Sequence, residues 1–273
     1  MPLTLLRSLV RAHPGVHRLA RAARARLTPS AEAALRPHLV QLTRALERPV
    51  FVKVGANDGV TGDPCGRWFL DHPSWTGLLI EPVPYCVDTL RAVYRDRRDR
   101  DDRRDRRDRR DRFIIEQAAV GAAPGTATFY YVAEEAKRAL PDLPSWYDQL
   151  GSFDRQHIVK HLDGRLAPFI RTIEVRVAPL DELVRRHRLT RIDLLHIDTE
   201  GHDLRVLESL DLVAFAPVVV LVEHKHLSPR DRRALKRRLR RARYRVRRVG
   251  GDLLAVHRQA AALLRERRSQ APR

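Results

Sequence analysis

The chain has 273 residues and a formal net charge of +19, a length that suits one α/β domain with extensions. Two cysteines, Cys65 and Cys86, have neither the spacing of a metal knuckle nor that of a disulfide framework, which points to a reducing compartment, and cytoplasmic residence is expected. No apolar run reaches the roughly 18 residues of a membrane span, and the start is not a secretory signal, because Arg7 and Arg11 break its apolar run and Pro14 follows.

The positive charge is localised. Residues 1–48 carry nine Arg against two Glu, residues 95–112 eleven Arg against seven Asp, and residues 230–249 twelve basic residues against Asp231. The remainder is slightly acidic. The excess therefore speaks to non-specific association rather than to fold or chemistry. A non-catalytic binder of nucleic acid or of an anionic surface is the alternative reading it supports; specific nucleic-acid binding is not expected.

Residues 1–48 read as a basic helical extension. Leu5, Leu6, Leu9 and Val10 form a short apolar face, too short for more than weak association with an anionic membrane surface. A helix follows from Ser30, an N-cap candidate, to Glu47, with Leu35, Leu39, Leu42 and Leu46 at helical spacing. Val50 to Gly55 is an apolar strand that ends in Gly55-Ala56-Asn57-Asp58-Gly59, a tight turn where glycine lets backbone approach a ligand. A helix is expected over Pro64 to Leu70, then a second buried strand from Gly77 to Glu81. A carboxylate at that strand end is where nucleotide-binding α/β folds hold a ribose diol.

Residues 95–112 are almost pure Asp-Arg repeats without an apolar side chain. They read as a solvated insertion, helical or disordered, with no site function. Phe113 to Glu116 is strand three, and Gln117-Ala118 follows it. Thr126 to Val132 and Ile170 to Ala178 read as strands. The irregular stretch 141–156 between them is a substrate lid or a plain surface connection. Pro179 to Glu182 opens a helix. Ile192 to Asp198 is a strand with Thr199-Glu200-Gly201-His202-Asp203 as its exit turn. Pro217 to Val222 is another, ending in Glu223-His224-Lys225-His226. Ser228 caps a basic helix, and Gly250-Gly251-Asp252 joins a final hairpin.

The pattern predicts an α/β fold: a doubly wound, mostly parallel sheet closing on an antiparallel hairpin, with N-terminal helices. The expected domain spans 49–257, with a C-terminal helix or tail at 258–273. Polar candidates cluster at the strand ends, where ligands bind in such sheets. A polar turn after strand one, an acid after strand two and an acid after strand four suit S-adenosyl-L-methionine. Methyl transfer is an in-line displacement, so the protein supplies orientation and, for a hydroxyl, a base.

Four ordered blocks, Phe51 to Thr61, Ile80-Glu81-Pro82, Leu195 to Asp203 and Glu223 to Leu227, resemble the FkbM family of methyltransferases over roughly Pro49 to His257. The resemblance implies a Rossmann-like class I methyltransferase fold and methyl transfer from S-adenosyl-L-methionine, commonly to a hydroxyl of a sugar, glycan or small secondary metabolite. Gly55 and Gly59 would permit the turn, Asn57 and Asp58 hold the methionine part, Glu81 the ribose, and Gln117-Ala118 lie by the adenine. Asp198 and Glu200 would stand beside the methyl or cap the following helix. His224, titrating near neutrality, is the best base on chemical grounds, and His196 reads as a satisfied core residue. Asp198, Glu200, Glu223 and His224 could together take Mg²⁺. Lys53 departs from the acid many class I enzymes carry there, and could face the cofactor carboxylate.

Overall fold

The computed structural model describes residues 29–94 and 112–269. The amphipathic reading of residues 1–27 and the Asp/Arg tract up to residue 111 lie outside them.

Helix α1 (Ala31–Ala45) starts where Ser30 predicts: its hydroxyl accepts the Ala33 N–H at 3.1 Å. Its period places Leu35, Leu39 and Leu42 on one buried face. Burying each contributes about 1.5–3 kcal/mol. Strands β1 (Val50–Val54), β2 (Thr76–Ile80) and β3 (Phe113–Glu116) pair in parallel, with helices α2 (Gly66–Asp71) and α3 (Pro84–Val93) between them. Pro84 opens α3 at its first turn, where a missing N–H costs nothing.

Strands β7 (Leu194–Ile197) and β8 (Val219–Glu223) extend the parallel set, and the hairpin of β9 (Tyr244–Val249) and β10 (Asp252–His257) closes it, with β10 antiparallel to both β8 and β9. The order is β3-β2-β1-β7-β8-β10-β9. Chain order therefore reverses between β1 and β7, and that switch opens a crevice at the strands' carboxyl ends.

Side-chain alternation sorts the sheet into two cores. Val52, Val54, Leu195, Ile197, Val220 and Val222 face helices α6 (Leu180–Arg186), α7 (Asp203–Glu208) and α8 (Pro229–Arg241). Phe51, Leu79, Leu194, Leu221 and Leu254 face α1, α2 and the C-terminal helix α9 (Ala260–Ser269). Apolar strands covered on both sides are what a doubly wound sheet requires.

Between β3 and α6 the chain makes an excursion. Strands β4 (Ala119–Val120), β5 (Gly125–Val132) and β6 (Ile170–Ala178) form a separate three-stranded sheet, ordered β4-β6-β5. Helices α4 (Glu135–Ala139) and α5 (Arg155–Val159) close a small core of its own with Val132, Tyr147, Leu150, Ile158 and Leu166. Phe129 and Val175 pack with Val83 and Cys86 and so hold this sheet against α3. No described helix is long and apolar enough to cross a membrane.

Candidate active site

The turn after β1 is set by backbone. The Gly55 and Ala56 N–H groups both donate to the Ile80 carbonyl, at 3.0 and 3.1 Å, and Asp198 N–H donates to the Val54 carbonyl at 3.0 Å. Gly55 is thus wedged between the ends of β2 and β7 at φ +75°. A Cβ there would collide with the Asp198 carbonyl oxygen and stand 2.8 Å from its carbon. Asn57 also takes positive φ, +47°, which its short polar side chain tolerates. Its side chain donates to the Asp148 carbonyl at 3.3 Å.

A crevice opens beside this turn. Of the residues expected at the site, Gly55, Asn57, Glu81, Ala118, Asp198 and Glu200 line it. Asp58, Gly59, Gln117 and His224 are not among its walls. Asp58 instead spends Oδ1 on the Val60 and Thr61 N–H groups, each at 2.8 Å. Gly59 takes the positive φ of the turn, +74°, and a Cβ there would collide with the Tyr94 ring and lie 2.8 Å from Leu90. Part of the 141–156 stretch does close on the crevice, through Asp148, Gln149, Gly151 and Phe153.

Glu81 is buried, and its two oxygens accept the Asn57 N–H at 2.9 Å and the Val83 N–H at 3.0 Å. Each oxygen keeps a lone pair for a further donor. Burial pushes this carboxyl up to about 7, against those two hydrogen bonds and the nearby Lys53. Lys53, on the opposite strand face from Val52 and Val54, pairs with Asp63 rather than standing free. The other Asp63 oxygen caps α2 through the Cys65 and Gly66 N–H groups at 2.8 and 2.9 Å. Burial lowers the Lys53 pKa, offset by the surrounding acids. His196, its cross-strand neighbour, is a core residue with Nδ1 3.5 Å from the Cys65 sulfur, as its mid-strand position suggests.

The turn after β7 holds three acids with distinct environments. Asp203, the first residue of α7, closes the turn: its carboxylate accepts the Thr199 N–H at 2.9 Å and the Gly201 N–H at 3.1 Å. Neither Asp198 nor Glu200 caps α7. Asp198 keeps a buried Oδ1 without a hydrogen-bond partner, and burial together with Glu200 raises its pKa. Glu200 goes the other way. Although burial opposes it, hydrogen bonds from His157 and His226 hold its pKa far below the ordinary carboxylate range. Its Oε2 lies 2.9 Å from His157 Nε2 and 3.0 Å from His226 Nε2.

Glu223, pushed up to about 10 by burial and by Asp198 and Glu200, pairs with Lys225. His224 is buried with both ring nitrogens unpartnered, and burial plus Arg248, Arg232 and Lys236 lower it to about 4. It therefore stands as a neutral imidazole off the crevice wall, and the histidines that meet the site acids are His157 and His226. Glu116, also at a strand end, is tied to Arg176 and His187 outside the crevice.

A second cavity runs from Ser30 and Arg36 past Trp68 to Glu223 and Lys225. Asp198 and Glu200 belong to its walls too. The two carboxylates thus stand where two cavities meet. Such an arrangement can hold one ligand on each side of the acid pair.

Among families, the methyltransferase FkbM domain matches residues 53–246. No curated protein matches the chain. Among solved structures, a methyltransferase FkbM from Methylobacillus flagellatus KT is similar with a TM-score of 0.48 at 15% sequence identity. The match covers 78% of this chain and 44% of that one, so the chain spans less than half of that protein's length.

Proposed function

The chain belongs to the FkbM methyltransferase family, and from that premise we propose that it moves a methyl group from S-adenosyl-L-methionine to a hydroxyl of a sugar, glycan or secondary metabolite. Its fold is the Rossmann-like class I methyltransferase fold. The observation that carries the cofactor assignment is the wedge at Gly55 beside a buried strand-end carboxylate, Glu81, in one crevice. Bound there, the cofactor supplies a methyl group already activated on a sulfonium.

The residues present fit that group. Gly55 turns tightly against the Asp198 carbonyl, so the crevice wall there is bare backbone that the cofactor's amino-acid end can approach. Glu81 offers one lone pair per oxygen to two ribose hydroxyls, and Asn57 and Ala118 flank the methionine and adenine ends. Asp198 is the proton acceptor for the substrate hydroxyl: its free Oδ1 and raised pKa suit a base that must be ionised yet ready to take a proton. Glu200, clamped by His157 and His226, stays ionised and orients the acceptor. The acceptor enters from the second cavity, because these two carboxylates line both.

Calorimetric titration with S-adenosyl-L-methionine tests the cofactor reading. One site per chain is expected, and Glu81→Ala should weaken it by at least tenfold, since ribose hydroxyls lose a charged acceptor worth about 1.5–3 kcal/mol. The carboxyl must ionise to serve as a double acceptor. Because burial holds it near 7, affinity should rise about tenfold from pH 6 to pH 8, and Glu81→Gln should flatten that rise. Equal affinity in wild type and Glu81→Ala would remove the assignment.

A further inference from the structure

We infer that His157, His161, His226 and Glu200 form a site for one divalent transition-metal ion, Zn²⁺ by ligand type. The ring nitrogens of the three histidines lie within 4.8 Å of one another. Glu200 Oε2 is the point on which His157 Nε2 and His226 Nε2 both converge, at 2.9 and 3.0 Å. His161 follows His157 by one helical turn, and its Nδ1 lies 2.7 Å from the His157 carbonyl oxygen. A backbone acceptor on Nδ1 fixes the tautomer and leaves Nε2 with its lone pair outward, the arrangement that metal-ligating histidines use.

The carboxylates are arranged to match. Lys225 occupies the Oε1 atoms of both acids, pairing with Glu223 and standing 3.7 Å from Glu200. That leaves Glu200 Oε2 to the histidines, and Glu223 Oε2 buried without a hydrogen-bond partner. Glu223 also brings a carboxylate oxygen within 4.8 Å of those of Glu200 and His226, so a fifth ligand is at hand. Glu200 is held at φ +52°, a conformation that non-glycine residues rarely adopt and that gathers at sites where geometry is imposed.

Three imidazoles with one or two carboxylates suit Zn²⁺ or a neighbouring first-row ion. Mg²⁺ prefers oxygen ligands and six-coordinate geometry. The donor set also differs from the Asp198, Glu200, Glu223 and His224 grouping expected for Mg²⁺, because His224 turns away and three other histidines turn in. The ligands come from three places: the α5 excursion, the turn after β7 and the loop after β8. A bound ion would tie the excursion to the carboxyl edge of the main sheet, next to the crevice that Phe153 and Glu200 line.

The test is independent of methyl transfer. The full chain, stripped of metal, is titrated with Zn²⁺ against a chromogenic chelator, and separately with Co²⁺ followed by visible absorption. One ion per chain is expected, unaffected by excess Mg²⁺. The Co²⁺ form should show the intense ligand-field bands of a low-coordinate, nitrogen-rich site. His161→Ala, at a half-exposed position, and His226→Ala should each weaken Zn²⁺ at least about tenfold; His187→Ala, which pairs with Glu116 elsewhere, should not. Failure of the wild type to hold Zn²⁺ would overturn the site, as would equal affinity in the wild type and both ligand variants. If His226→Ala does not fold, the wild-type Co²⁺ spectrum decides: weak bands like those of the hydrated ion would overturn it.

Discussion

Gly55→Ala is expected to destabilise the protein by more than about 3 kcal/mol and to abolish cofactor binding in whatever folded protein remains. Two penalties combine. The backbone at φ +75° disfavours any Cβ. The added atom would also strike the Asp198 carbonyl, which is main chain and belongs to the end of β7. Neither side can yield cheaply, because the Gly55 and Ala56 N–H groups are pinned to Ile80 and the Asp198 N–H to Val54. Relief requires parting β1 from β7 at the crevice itself. Gly250→Ala is the control. It has a similar φ of +57° but nothing within 4 Å of a new Cβ, so it should cost only about 1 kcal/mol. Thermal unfolding of the two variants separates collision from conformation.

Asp193→Ala is expected to be comparably severe, about 3–5 kcal/mol, at the opposite end of the sheet. Asp193 is fully buried before β7 and accepts from Arg267 at 2.6 Å and from the Val50 N–H at 2.7 Å. Arg267, on α9, also donates to the carbonyls of Ile192, Phe215 and Ala216. One guanidinium thereby joins the starts of β7 and the chain entering β8 to the C-terminal helix. Removing the carboxylate strands a buried cation and an N–H of β1 together. Arg267→Met alone leaves Asp193 with Arg191, 3.4 Å from its Oδ2, as its remaining counter-charge. The double variant Asp193→Ala, Arg267→Met should lose less than the sum of the single losses, a coupling that chemical denaturation of the four proteins measures.

These two residues show what sequence can and cannot disclose. Gly55 was legible because an apolar run ending in a glycine-bracketed polar turn has few other meanings. The strands β1, β2, β7 and β8 were legible for the same reason, and the Ser30 and Ser228 caps sit where the helices begin. The separate sheet was not: β4 is two residues long and pairs with β6 far along the chain, Ala119 with Val177, so no local pattern announces it. The pairing of Glu200 with His157 spans 43 residues and depends on how the excursion folds back. In Glu223-His224-Lys225-His226 the chemistry pointed to His224, but the loop after β8 brings His226 round to Glu200 and leaves His224 facing basic side chains. Lys53 was visible as an intruder in an apolar strand, while its counter-charge, Asp63, could be found only through the fold.

The central claim is that the crevice between β1 and β7 takes the cofactor, and a crystal of the full chain soaked with S-adenosyl-L-homocysteine tests it most directly. The account predicts the ribose hydroxyls on the Glu81 carboxylate, the adenine beside Ala118, the amino-acid end over the Gly55 backbone and the sulfur turned toward Asp198. A nucleoside bound outside this crevice, or within it with its ribose away from Glu81, would contradict the account.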